Sequence, residues 1–116
     1  MRPEDLHFQV LRYLERKPDM TQRELAVALG ISVGRVNYSL RALIGKGLIK
    51  AANFRNSQNK RAYLYKLTPQ GLSEKARLTV RFIRQKELER QKLLEEIETL
   101  QLEVAGKYEV SRDVDS

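Results

Sequence analysis

The apolar positions of this chain keep a helical spacing up to residue 45, alternate between residues 48 and 67, and then recur in heptads. Over residues 5–17, DLHFQVLRYLERK, the side chains of Leu6, Phe8, Val10, Leu11, Tyr13 and Leu14 form a wide apolar stripe. That stripe predicts a first helix, capped by Asp5 and stopped by Pro18, with Arg16 and Lys17 suiting the C-terminal end of its dipole. Residues 21–43, TQRELAVALGISVGRVNYSLRAL, predict two helices joined by a tight turn. Thr21 and Glu24 make a capping box ahead of apolar Leu25, Ala26 and Leu29. Gly30 can leave the helix with positive φ, Ile31 plugs the turn, and Ser32 caps the second helix. Val36, Leu40 and Leu43 give that second helix its inward face, and the small side chain of Ala26 lets it approach closely. This is a helix-turn-helix.

The alternating region holds two strand-like runs, residues 48–54 and 61–67. In the second, Ala62, Leu64 and Lys66 take one face and Tyr63, Tyr65 and Leu67 the other. The Asn- and Ser-rich residues between the runs predict a hairpin tip standing clear of the core. Thr68 can cap a last helix and Pro69 fits its first position, with Gly106 expected to stop it after Ala105. Leu72 and Ala76, in its first turns, are expected to pack on the preceding domain. Further along, Ala76, Ile83, Arg90, Ile97 and Val104 recur every seven residues, as do Thr79, Lys86, Leu93 and Leu100. Lys86 and Arg90 interrupt this seam, and Glu87 and Glu89 of an opposing helix could pair with them. The pattern predicts a dimeric coiled coil strongest over residues 93–104, with Val80, Ile83, Leu93, Leu94, Ile97, Leu100 and Val104 as its contact face. A lone helix would leave these side chains and Leu102 in water, and a membrane-surface helix would carry an acidic polar face that anionic lipid disfavours. The expected fold is mainly α with a small β-hairpin. Residues 1–68 would form a winged helix-turn-helix, residues 69–105 a dimerisation helix, and residues 106–116 a flexible polar tail.

Charge sharpens this picture. The chain carries a formal net charge of +7, and residues 25–73 contain no Asp or Glu. The same span holds Arg35, Arg41, Lys46, Lys50, Arg55, Lys60, Arg61 and Lys66, a one-sided distribution that points to a polyanionic partner. With Val36, Leu40 and Leu43 inward, the second helix of the motif presents Gly34, Arg35, Asn37, Tyr38 and Arg41 outward. Arg pairs with guanine and Asn with adenine in the major groove, while Tyr can stack or hold a phosphate. The expected DNA-facing set is therefore Thr21 and Gln22 at the start of the motif, Ser32, Gly34, Arg35, Asn37, Tyr38 and Arg41 in the recognition helix (residues 32–45), and Arg55, Asn56, Ser57, Asn59, Lys60 and Arg61 at the hairpin tip (residues 54–61). Cationic residues at that tip can reach phosphates or a minor groove.

Several classes are disfavoured. No apolar run is long enough to span a membrane, no signal peptide opens the chain, and there is no cysteine, so a cytoplasmic protein without disulfide or Cys-type zinc site is expected. His7, the one histidine, has no ligand or catalytic companions at suitable spacing and reads as a surface or half-buried residue. No nucleophile triad, phosphate loop or carboxylate pair suggests an enzyme, and no cofactor is expected. The competing reading is a winged-helix protein-interaction module that docks a partner through the long helix.

The order TQRELAVALGISVGRVNYSLRALIGKGLIK, a basic wing and RAYLYKLTPQG resembles the MarR-type winged-helix transcriptional regulators of bacteria. More narrowly, GISVGRVNYSLRALIGKGLIK with NFRNSQNKRAYLYKLTPQGLSEKARLTVRF is similar to the small exopolysaccharide-associated branch of that family. The resemblance covers roughly residues 5–104 and implies a homodimer reading an inverted repeat in double-stranded DNA, with exopolysaccharide genes as candidate targets. It places residues 35, 37, 38 and 41 in the major groove and residues 55–61 at the wing. Larger relatives carry an acidic residue before a paired Arg in the wing, where this chain has Asn59 before Lys60 and Arg61, so the ion pair that fixes the wing is absent. They also bind small phenolic ligands between the DNA domain and a dimer domain built from both chain ends. With one long C-terminal helix in its place, no small-molecule effector of that kind is expected here.

Overall fold

The computed structural model describes residues 1–55 and 61–115, with side chains described for residues 1–53 and 63–107. The element order is α1 (Pro3–Arg16), α2 (Gln22–Leu29), α3 (Val33–Gly45), β1 (Ile49–Arg55), β2 (Arg61–Leu67) and α4 (Pro69–Asp115). This is the expected mostly helical fold with a two-stranded antiparallel hairpin and a long C-terminal helix. The chain divides into two compact units, Met1–Thr79 and the remainder of α4 from Val80.

The first unit is built on local signals that act as expected, with one exception at its start. Pro3 occupies the first turn of α1, where its fixed φ suits a helix and its missing N–H costs nothing. Arg2 is therefore the N-cap, without a side-chain cap bond, and Asp5 is an acidic residue of the first turn rather than the cap. Its charge still favours the positive end of the dipole. Leu6, Phe8, Val10, Leu11 and Leu14 are buried along one side of α1. At α2 the capping box forms in full: Thr21 Oγ1 accepts from the Glu24 amide at 3.0 Å, and the Glu24 carboxylate accepts from the Thr21 amide. Gly30 closes α2 with φ 66°, and the Ile31 amide returns to the Ala26 carbonyl at 3.1 Å. Ser32 then caps α3 by accepting from the Arg35 amide at 3.2 Å. Val36, Ser39, Leu40 and Leu43 are fully or almost fully buried against α1 and α2.

Gly47, with φ 72°, turns the chain out of α3 and into the hairpin. Ile49 pairs with Leu67, Lys50 with Lys66, and so on to Arg55 with Arg61. The buried face of the strands carries Ile49 and Tyr65. Tyr65 also ties the hairpin to the loop before α2, its amide donating to the Pro18 carbonyl at 2.9 Å.

The start of α4 is locked onto the turn after α3. Thr68 donates its hydroxyl to the Gly47 carbonyl at 2.6 Å and accepts from the Gly71 amide at 3.0 Å, while its own amide donates to the Leu48 carbonyl. That geometry brings the Gly71 backbone against Leu48, where a Cβ would collide with the Leu48 carbonyl oxygen. The inward stripe of α4 consequently begins at Gly71 and continues to Leu78, which is buried. Leu72 and Ala76, expected to pack inward, are exposed. The helix docks one residue out of the expected phase because close backbone approach, rather than side-chain apolarity, sets its rotation. Lys75 pairs with Glu15 of α1, and Arg77 bridges Glu74 and Glu4.

In the second unit α4 continues past Gly106 to Asp115, so residues 106–115 are helical and not the expected tail. Glycine stops a helix by taking positive φ, and among the described residues only Gly30 and Gly47 do so. Val80, Ile83, Leu93, Leu94, Ile97, Leu100 and Val104 all lie exposed along this segment of the single chain. Lys86 and Arg90 find partners on their own helix, Glu89 at 3.2 Å and Glu87 at 3.8 Å, without needing an opposing one. Among the described residues no helix is long and apolar enough to cross a membrane.

Candidate nucleic-acid interface

The packing of α3 decides which of its side chains can meet a ligand. With Val36, Ser39, Leu40 and Leu43 sealed inward, Arg35, Tyr38 and Arg41 are exposed on the opposite side, and Tyr38 retains 71% of its surface. Gly34 leaves that surface low beside Ser32. Asn37 is half-buried, its Nδ2 donating to Gln22 Oε1 at 3.3 Å. Gln22 in turn donates from Nε2 to the Tyr65 hydroxyl at 3.4 Å. Arg35 Nη2 donates to the Met1 carbonyl at 3.3 Å, which draws the start of the chain toward the first turn of α3. Thr21 and Ser32 each have their side-chain oxygen engaged by a helix-start amide, so both build the frame of the motif.

The structure thus gathers Gln22, Ser32, Gly34, Arg35, Asn37, Tyr38 and Arg41 around the exposed side of one helix. Arg55 and Arg61 stand opposite one another at the far end of the hairpin register. Asn56, Ser57, Asn59 and Lys60 lie outside the described residues. A second cationic pair, Lys50 and Lys66, also sits directly cross-strand, both exposed. Like charges opposite each other destabilise a hairpin. The exposed Lys50–Lys66 pair, in a ladder whose sequence holds no carboxylate, makes a surface suited to a polyanion.

Sequence reasoning missed three features here. Val33, the first residue of α3, is exposed at 44% although apolar; side chains at that end of a recognition helix lie nearest base edges, and an apolar one can meet a thymine methyl. Tyr63 is exposed and stacks on Tyr65 with ring centroids 6.0 Å apart. Its place two residues from Arg61 on the same strand face was available in the alternating pattern. His7 is half-buried, and its Nδ1 meets the Ser39 hydroxyl at 2.7 Å. Burial, reinforced by the Lys46 ammonium and only partly opposed by Glu4, holds this imidazole below its ordinary pKa. Nothing short of the fold brings residues 7 and 39 together.

The Lys17 ammonium and the Thr21 amide hold the Glu24 carboxylate below its ordinary range, so it stays ionised where it closes the capping box. The Arg77 guanidinium does the same for Glu74, and their pairing raises the guanidinium in return. These carboxylates are spent on helix ends and helix contacts, leaving the outward side of α3 cationic.

Residues 3–50 match the family model described as winged helix-turn-helix DNA-binding. No curated protein matches the sequence. Solved structures do. The PcaV transcriptional regulator of Streptomyces coelicolor, in complex with its natural ligand, superposes with a TM-score of 0.60 at 28% identity, over 71% of this chain and 57% of that one. Wild-type MarR of Escherichia coli gives 0.51 at 28% identity over 61% and 51%. A point mutant of MepR from Staphylococcus aureus, bound to an oligodeoxyribonucleotide, gives 0.55 at 26% identity over 72% and 61%. The chain spans 51% to 61% of the length of these proteins. The chain thus has a winged helix-turn-helix fold, residues 3–50 are similar to DNA-binding domains of that type, and the solved structures similar to it include MarR-family transcriptional regulators.

Proposed function

We propose that the protein is a sequence-specific, DNA-binding transcriptional regulator that acts as a homodimer on an inverted repeat. The observation that carries this reading is the split of α3: Val36, Ser39, Leu40 and Leu43 are buried, while Arg35, Tyr38 and Arg41 face outward in a span free of acidic residues. Arg35 and Arg41 supply bidentate donors to guanine, Asn37 reads adenine, and Val33 meets a thymine methyl. The hairpin end, with Arg55, Lys60 and Arg61, contacts phosphate or the minor groove beside the same site. The exposed apolar line of α4, from Val80 to Val104, joins two copies, and antiparallel and parallel pairing both satisfy the argument. Similarity of the α3–hairpin–α4 sequence to the exopolysaccharide-associated branch supports exopolysaccharide genes as the targets.

The test is binding to duplex DNA over a range of salt. Phosphate contacts release counterions, so log K should fall by roughly 0.9 per neutralised phosphate per log unit of salt. Affinity that ignores salt would instead support the second reading, a winged-helix module docking a protein through α4.

A further inference from the structure

We propose that Gln22 is a positioning residue for base recognition: it couples the orientation of the Asn37 amide to its own and is held in place by Tyr65 on the wing strand. The inference rests on the DNA-reading role of α3 proposed above and deepens it by naming what makes one of its readers selective.

The geometry is a relay of three polar side chains from three elements. Asn37 on α3 donates from Nδ2 to Gln22 Oε1 at 3.3 Å, and Gln22, the first residue of α2, donates from Nε2 to Tyr65 Oη at 3.4 Å. Tyr65 is the fixed end. Its ring is buried, stacked beside Tyr63, and its amide is bound to the Pro18 carbonyl. Gln22 and Asn37 are half-buried, so both reach toward solvent while being held from within.

The chemistry follows from what an amide has to offer. Asn carries two N–H donors and one carbonyl acceptor. With one N–H committed to Gln22, Asn37 retains one donor and its carbonyl oxygen. That pair matches the N7 acceptor and N6 amino donor of adenine. If the Asn37 amide turned over, its carbonyl would face Gln22 and both donors would face outward, a set suited to a base edge with two acceptors. An asparagine free to turn over reads neither well. Through the relay Asn37 can turn over only if Gln22 turns with it and the Tyr65 hydroxyl changes from acceptor to donor, so three groups must move together and the freedom of the lone amide is removed. The wing strand thereby influences base choice from a position that does not touch the base.

Three variants separate this role from a structural one. Tyr65→Phe deletes only the hydroxyl. Gln22→Leu removes the bridge. Gln22→Glu can only accept, so it still accepts from the Asn37 N–H and from the Tyr65 hydroxyl. The measurement is competition between a duplex selected by the wild-type protein and the same duplex changed at each position in turn, at fixed salt, alongside thermal unfolding. Tyr65→Phe and Gln22→Leu should relax preference about threefold to tenfold at the position that Asn37→Ala also relaxes, and leave the others alone. Gln22→Glu should keep that preference while binding all duplexes more weakly, because it adds a negative charge. Preference unchanged in Tyr65→Phe and Gln22→Leu, with Asn37→Ala still relaxing it, would overturn the relay and leave DNA reading intact. A wild-type protein that prefers no duplex at all overturns both. Preference lost equally at every position, with a lower unfolding temperature, assigns Tyr65 a packing role only and also overturns the proposal.

Discussion

The imidazole of His7 and the hydroxyl of Ser39 meet at 2.7 Å, joining α1 to the buried side of α3 across 32 positions of sequence. Ser39 is completely buried, so this bond satisfies a polar group inside the core that would otherwise be costly.

Because the folded-state pKa of His7 is lowered, the unfolded chain takes up the proton first. His7 therefore contributes stability that is complete above about pH 6.5 and is lost as the pH falls through its lowered value. Glu24 and Glu74, also lowered, act further down, where pH drops below the ordinary glutamate value of 4.5. Chemical denaturation across pH should resolve two acid limbs in the wild type. His7→Leu should remove the upper limb and, by orphaning the Ser39 hydroxyl, cost about 1–3 kcal/mol at neutral pH. An upper limb that persists in the variant contradicts the assignment.

Two glycines of α4 should respond to alanine with opposite signs. A Cβ at Gly71 strikes the Leu48 carbonyl, and backbone cannot move aside as a side chain can. Gly71→Ala should lose about 1–3 kcal/mol despite its better helix propensity. A methyl group at Gly106 would meet nothing within 4 Å and the backbone there is helical, so Gly106→Ala should gain up to about 1 kcal/mol. Unfolding midpoints of the two variants check both signs.

The readers and the phosphate contacts should separate by salt and sequence. Arg41→Ala should cost about 1–3 kcal/mol on a selected duplex and much less on a random one. Lys60→Ala should weaken both together and reduce the salt slope by about one. Equal losses of Arg41→Ala on the two duplexes would remove it from base reading.

Leu100→Asp tests the contact face of α4. Leu100 is 58% exposed in the single chain, at a seam position where a charge buried in a dimer would be costly. Light scattering should report a dimer for the wild type and a monomer for the variant. A variant of unchanged dimer mass would move the interface elsewhere.

The parts legible in the sequence are those decided within a few residues. Thr21 with Glu24, Gly30, and Ser32 with the Arg35 amide each need only a short-range signal, and each acts as read. So do the helical period that buries Val36, Leu40 and Leu43 and the hairpin that follows. The rotation of α4 was not legible, because Thr68 binds Gly47 and Leu48 some twenty residues earlier and thereby chooses Gly71 for the contact over apolar Leu72. Its end was not legible either, since a glycine can stop a helix or stay within it, and Gly106 stays. On α3 the periodicity placed Arg35, Tyr38 and Arg41 outward, as they are, but Asn37 is half-buried, the partner that holds it belongs to another helix, and the partner of that one to a strand. Pairings across such distances carry no periodic signature.

The most direct test of the account is a selection from a random duplex pool at near-physiological salt. It should enrich an inverted repeat whose half-sites lie about one helical turn apart, the spacing of two recognition helices in successive major grooves. Enrichment of no sequence, or of a single half-site bound by a monomer, would contradict the dimeric, base-reading regulator proposed here.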